Sequence, residues 1–309
     1  MVAAAAWVAP IVALEIVIAD AYAAYFLVLW KRKGEQAFPP SSAFDRAATV
    51  FCQPGNANRT AQRALLTLRV VVTVWQLVVL VYAYSSNILH ANLTGKPSNL
   101  AKFTVWNYHL QTIFWLISAT ASVRYVTQQR QRVGLSQQEE TSIPSAEEPC
   151  TTPSRRCGDS FLELAQPLLL AVCVPTSVLV SVVFWLVLVP GSASAGVAMS
   201  DVLHFTSYNM HAVNTLTILV EFGLNRLLVP PQQLLFYLLW ATLYVFFQWA
   251  VHPLTQQWAY PFLALDPAAL AWYPGVLAVF MLLYWGALGA SKLKRNQIEA
   301  AEIRASAAF

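Results

Sequence analysis

A hydroxyl and an imidazole held at one depth of a membrane can transfer an acyl group, and this chain holds a candidate for each. Thr104 and His211 fall near the entrances of two largely apolar stretches, KFTVWNYHLQTIFWLISATASVRYV and HFTSYNMHAVNTLTILVE. A hydroxyl nucleophile needs a base for its proton, and neutral imidazole is the side chain whose basicity suits that task. At helical periodicity Thr104, Tyr108 and Gln111 share one face, with Val105, His109 and Thr112 on the next. Asn214, one turn after His211, is spaced to hold a substrate carbonyl or to bridge to another helix. Glu221 lies about 15 Å further along that helix and is rotated by roughly 80°, so it reads as a structural or coupling carboxylate rather than a partner for the imidazole. A capping threonine and an interfacial histidine satisfy the same helix arithmetic.

The elements that must position these residues are membrane helices. The 309 residues are 57% hydrophobic and only 11% charged, with 11 Trp, 12 Tyr and 16 Phe. That composition excludes a soluble domain and describes a multi-spanning protein. A span needs roughly 20 largely apolar residues. Such stretches predict an all-α transmembrane bundle of about seven spans, near 7–30, 65–89, 103–126, 161–189, 206–227, 233–252 and 273–291, in one transmembrane domain covering 1–309.

Charge placement orients that bundle. With the N-terminus outside, the cytoplasmic segments hold Lys31, Arg32, Lys33, Arg46, Arg59, Arg63, Arg130, Arg132, Arg155, Arg156, Lys292, Lys294, Arg295 and Arg304, against Lys96 and Lys102 opposite. Basic residues stay on the cytoplasmic side, so the expectation is N-terminus out and C-terminus in. These residues flank span ends as topology signals do, which gives no support to nucleic-acid binding. The sequence expectation is an integral membrane protein of the endoplasmic reticulum or plasma membrane. Cys52, Cys150, Cys157 and Cys173 fall in cytoplasmic loops or a span, where no disulfide is expected, and Cys150 and Cys157 lack a second ligand pair for zinc. All five histidines, His90, His109, His204, His211 and His252, map to the outer ends or halves of their helices.

Between the spans, 31–63 reads as a polar cytoplasmic loop and 127–160, rich in charge with Ser, Thr and Pro, as a disordered cytoplasmic one. Glu15 and Asp20 in the first span are five positions apart and point to different sides. Arg69 is expected to snorkel to the cytoplasmic interface. Pro167 and Pro175 are expected to kink the fourth span. HPLTQQWAYPFLALD, after the sixth, suits an interfacial cap or short re-entrant turn.

The segment from His252 through Thr255, Trp258, Tyr260, Pro261 and Phe262 to Leu263 resembles the H-x-x-T-x-x-W-x-Y-P-F-L stretch of the androgen-induced membrane protein family. Asn209-Met210-His211 with Glu221 is similar to that family's G-M-H and downstream glutamate, and Lys102-Phe103-Thr104 with Gln111 to its threonine helix. FTVWNYHLQTIFW also resembles the related rolling-stone-type membrane proteins. The first family consists of intramembrane hydrolases of fatty acid esters of hydroxy fatty acids. The resemblance therefore implies Thr104 as nucleophile, His211 as base, an acyl-chain lipid as substrate, no metal and no cofactor, with Asn214, Tyr108, Gln111 and Trp258 as substrate contacts. Where the family carries H-G-M-H, this chain reads His211-Ala-Val-Asn214, so a three-residue shift sets Asn214 at the base position. Two other readings stand beside the hydrolase. One is a haem- or metal-binding electron carrier ligated by outer histidines such as His109 and His211, and the other a non-enzymatic rolling-stone-type membrane protein.

Overall fold

The computed structural model describes residues 7–32, 59–94, 101–139 and 157–307, all of it helix and connecting turns with no strand among the described residues. Long apolar runs satisfy every backbone group within the segment, which is what a hydrocarbon environment demands. Seven helices organise the bundle: α1 (Val8–Arg32), α2 (Arg59–Thr94), α3 (Phe103–Glu139), α4 (Cys157–Val183), α5 (Asn214–Leu224), α6 (Leu234–Thr255) and α7 (Ala269–Ser306). Five stretches, in α1, in α2, in α4 with its extension, in α6 and in α7, are long and apolar enough to cross a membrane.

Two elements depart from simple helices. α4 continues through a π-helical turn, Phe184–Leu188, into Val189–Ser194. α5 is approached by a helical turn, Phe205–Tyr208, and a second π turn, Asn209–Val213, with right-handed backbone throughout. The 20 residues from Phe205 to Leu224 thus form one rod about 30 Å long. Pro167 and Pro175 lie inside α4, which runs through both as helix.

The expected loops are shorter than the sequence indicates. α3 continues to Glu139 and α4 begins at Cys157, so helix covers both flanks of 127–160. Polar composition marks a solvated segment, but a helix that leaves the bilayer can carry polar residues all round. Residues 140–156, and 33–58 of the 31–63 loop, lie outside the described residues.

The bundle has apolar flanks and a polar interior. Leu14, Ile18, Val81, Leu186, Leu216 and Leu282 are each more than half exposed, whereas Gln76, Gln111, Gln233, Gln248 and Glu221 are almost wholly buried. Polar side chains on membrane helices turn inward because lipid offers them no partner. α1 attaches at its edge, where Val8 and Val12 pack with Ala269 and Thr242 donates to Asp20 Oδ2 at 3.0 Å.

On the side where α2 begins and α5 ends, a charged cluster ties four elements together. Arg69 does not snorkel outward. Its Nε and Nη2 donate to Glu221 Oε1 at 3.0 and 2.5 Å, and its Nη1 donates to Ser122 Oγ at 2.6 Å. Burying Glu221 demands a cation, and Arg69 is the residue at matching depth. Asn225 Nδ2 also donates to Glu221 Oε1 at 3.0 Å. Lys294 of α7 then caps the end of α5, donating to the carbonyls of Phe222 and Leu227 at 2.5 and 2.8 Å and to Asn225 Oδ1 at 2.9 Å. A helix C-terminus carries unpaired carbonyls and partial negative charge, so a lysine satisfies both needs. Lys294→Met is expected to lower stability by about 1–2 kcal/mol, read as a lower unfolding midpoint in detergent, with Lys294→Arg closer to wild type.

Candidate active site

The two π turns face each other. His211 sits in the second of them and its ring stacks on Phe184, in the first, with centroids 3.7 Å apart and planes 7° from parallel. A π turn widens the helix and frees a carbonyl from the regular ladder, and such turns concentrate at functional sites. Here Ser181 Oγ donates to the His211 carbonyl and lies 2.6 Å from Thr215 Oγ1, which donates to the Ser177 carbonyl at 2.8 Å. α4 thereby holds the widened turn in place through side chains.

That seating sets the His211 tautomer. Nδ1 lies 3.2 Å from the Val180 carbonyl, which only accepts, so Nδ1 carries the proton. Nε2 keeps its lone pair and makes no hydrogen bond to any described residue. A buried imidazole so held is a base with its orientation already fixed.

α3 supplies the hydroxyl. Lys102 ends the preceding turn, its carbonyl accepting the N–H groups of Val105 and Trp106 at 3.0 and 3.2 Å. Thr104 is buried, and its Oγ1 lies 3.5 Å from the Tyr260 hydroxyl. Val105 and Tyr108, one and four residues after Thr104 along α3, pack with Val79 and Ala83 of α2 and with Met210, the residue before His211. The segments bearing Thr104 and His211 therefore meet in one cluster, and no hydrogen bond joins the two side chains directly. Burial holds Lys102 below the ordinary lysine value, and burial and then the Lys102 charge hold His204 below the ordinary histidine value.

Deeper in, amide side chains form a belt across four helices. Gln76 Nε2 donates to Asn214 Oδ1 at 2.8 Å, Gln111 Nε2 to the Asn214 carbonyl at 2.9 Å, and Ser177 Oγ to Gln111 Oε1 at 2.7 Å. Thr112 Oγ1 shares its proton between Gln76 Oε1 and the Tyr108 carbonyl, at 2.9 and 2.8 Å. Of the two roles open to Asn214, the interhelical bridge is the one its contacts fill. Gln111 likewise braces the belt. Asn107, one turn after Thr104 and wholly buried, donates weakly to Ser177 at 3.5 Å, while its Oδ1 meets no donor. An unmatched buried acceptor is costly, by about 1–3 kcal/mol, unless something fills it.

The remaining candidates lie apart from this belt. Tyr108 packs in the apolar cluster with Met210. Trp258 stacks on His252 beyond α6, at 3.9 Å and 10°. His109 Nδ1 donates to the Val105 carbonyl at 2.6 Å, so its Nε2 accepts from the Tyr84 hydroxyl at 2.9 Å. That pairing occupies both ring nitrogens, leaving none for iron. Among the described residues no three His, Cys, Asp or Glu side chains come together as a metal set. Cys173 is free and buried.

Sequence reasoning missed the belt residues Gln76, Asn107 and Ser177, and three contributors outside the belt. Ser181 and Phe184 sit in an apolar run with no pattern to distinguish them. Tyr260 is part of the motif quoted above, but nothing local to it indicates that it reaches α3. Neither a family model, nor a curated protein, nor a solved structure matches the chain.

Proposed function

We propose that this chain is a multi-spanning intramembrane esterase that hydrolyses fatty acid esters of hydroxy fatty acids, with Thr104 as nucleophile and His211 as base. The observation that carries the reading is the state of His211: held by a π turn, stacked on Phe184, protonated at Nδ1 and unbonded at Nε2. Support comes also from the cluster of Val105, Tyr108 and Met210 and from the free Asn107 Oδ1, which offers an acceptor to a substrate hydroxyl or protonated acid.

In this reading Thr104 Oγ1 adds to the ester carbonyl while His211 Nε2 takes the hydroxyl proton. Collapse of the tetrahedral adduct expels the alcohol, which receives that proton, and a water then repeats the sequence to release the acid. The acyl chain lies among helices whose outer faces are apolar. In this reading the bundle has seven spans, the five apolar ones together with α3 and the Phe205–Leu224 rod, the N-terminus is outside, and Thr104 and His211 lie in the non-cytoplasmic half, in the endoplasmic reticulum or the plasma membrane.

The test is hydrolysis of a fatty acid ester of a hydroxy fatty acid by purified protein, with labelling by a fluorophosphonate probe in parallel. Wild type is expected to do both and Thr104→Ala neither. A Thr104→Ala variant that hydrolyses and labels like wild type removes the nucleophile assignment.

A further inference from the structure

Tyr260 lies in the turn between α6 and α7, and the structure builds that turn onto the start of α3. α6 ends at Gln256 in the left-handed conformation, φ 55°, which reverses the chain. The side chain of Gln248 then clamps the two segments together. Its Nε2 donates to the Ala101 carbonyl, just before α3, at 2.8 Å, and its Oε1 accepts the Ala259 N–H, just before Tyr260, at 3.3 Å. The far side of the turn is fastened by Tyr273, whose hydroxyl donates to the Leu263 carbonyl at 3.0 Å and accepts from Trp249 Nε1 at 3.0 Å.

The result is a buried phenol delivered to the nucleophile candidate. Tyr260 is 7% exposed, and its oxygen lies 3.5 Å from Thr104 Oγ1. That contact sits at the first turn of α3, where Thr104 is the second residue. The phenol has one proton to give, and Thr104 Oγ1 is an acceptor beside it.

On the reading of Thr104 as nucleophile, we propose that Tyr260 is a catalytic residue whose phenol O–H donates to the oxyanion formed when Thr104 Oγ1 adds to the ester carbonyl. The bond that forms is Oγ1 to carbon, and the carbonyl π pair moves onto oxygen. The hydroxyl proton goes to His211 Nε2, and Tyr260 keeps its own proton throughout. A donor 3.5 Å from the attacking oxygen is within reach of the second oxygen on the same tetrahedral carbon, which lies nearby by geometry. Before the reaction the same O–H holds the threonine hydroxyl in line. A fixed donor of this kind stabilises charge only as it develops, so it acts on turnover more than on binding.

Burial is the largest influence on the phenol and raises it above its ordinary value of 10.0, against a smaller opposing influence of the neighbouring Thr104 and Phe103. Tyr260 therefore stays protonated through the accessible pH range, as a donor must. Wild-type turnover is expected to show no alkaline fall from this group.

The experiment is Tyr260→Phe in the full chain, assayed on the ester and with the fluorophosphonate probe beside Thr104→Ala. Turnover and probe labelling of Tyr260→Phe are expected to fall about 10²- to 10³-fold, with KM changed by less than about threefold. As a second variant, 3,5-difluorotyrosine at 260 preserves the shape and lowers the phenol's pKa. It is expected to bring an alkaline limb into the turnover profile that wild type lacks. Tyr260→Phe turnover within about threefold of wild type overturns the proposal, as does a difluorotyrosine profile superimposable on the wild-type one. Should Tyr260→Phe not fold, the difluorotyrosine profile decides alone. An inactive Thr104→Ala with a fully active Tyr260→Phe removes the role of Tyr260 alone, whereas an active Thr104→Ala removes the nucleophile on which it rests.

Discussion

Glu221→Leu alone is expected to destabilise the bundle by about 3–5 kcal/mol, because it strands the Arg69 guanidinium in an interior with no other carboxylate for it. Arg69→Met alone is expected to act as strongly, since Glu221 is wholly buried. The double variant, Arg69→Met with Glu221→Leu, is expected to recover most of the loss, since no charge is then left unpaired. Unfolding midpoints in detergent, arranged as a double-mutant cycle, measure the coupling. Single variants within about 1 kcal/mol of wild type would mean that water reaches the pair and screens it. The pair touches neither Thr104 nor His211, so the double variant is expected to keep its probe labelling.

His211→Ala is expected to lower ester turnover and probe labelling by about 10²- to 10⁴-fold, the usual contribution of a placed general base. Binding of the uncleaved ester is expected to change far less, because Nε2 acts on the attacking proton rather than on the acyl chain. Ser181→Ala offers a contrast that a purely structural view of the histidine does not predict. It removes the donor to the His211 carbonyl and the contact with Thr215, loosening the π turn while leaving the imidazole present. A His211→Ala protein that turns over like wild type would leave the unbonded Nε2 without a purpose in this scheme.

The helical architecture was legible in the sequence because apolar runs of sufficient length have few alternatives. Two of the seven stretches escape a hydropathy criterion, and the reason lies in the site itself. α3 and the Phe205–Leu224 rod carry Thr104, Asn107, Gln111, Thr112, Asn209, His211 and Asn214. Their polar inner faces depress the average that marks a span. Thr104, Gln111, His211 and Asn214 among them are the residues that the sequence singles out as candidates for chemistry, so the signal that nominates them is the one that lowers the hydropathy of these two stretches. Glu221 reads as a structural or coupling carboxylate, and its pairing with Arg69 fits that reading, whereas Arg69 was misjudged, since its position near a helix start is equally compatible with reaching outward. The π turns at Phe184 and Asn209 left no trace, because nothing in VFWLVLV or YNMHAVN distinguishes a five-residue from a four-residue hydrogen-bonded repeat. Tyr260 was visible as a letter in a motif, but its meeting with Thr104 depends on Gln248 holding two distant segments together.

The lysine cap on α5 has a consequence for biosynthesis. The ribosome makes α5 some seventy residues before Lys294, which donates to the carbonyls of Phe222 and Leu227. Until α7 emerges and docks, those carbonyls must be served by water or lipid headgroups, so the nascent rod cannot settle to its final depth. Arrested nascent chains ending short of α7 should accordingly leave the α5 terminus open to protease, and chains extended beyond α7 should close it. A helix translated later is then the one that completes a helix already laid down.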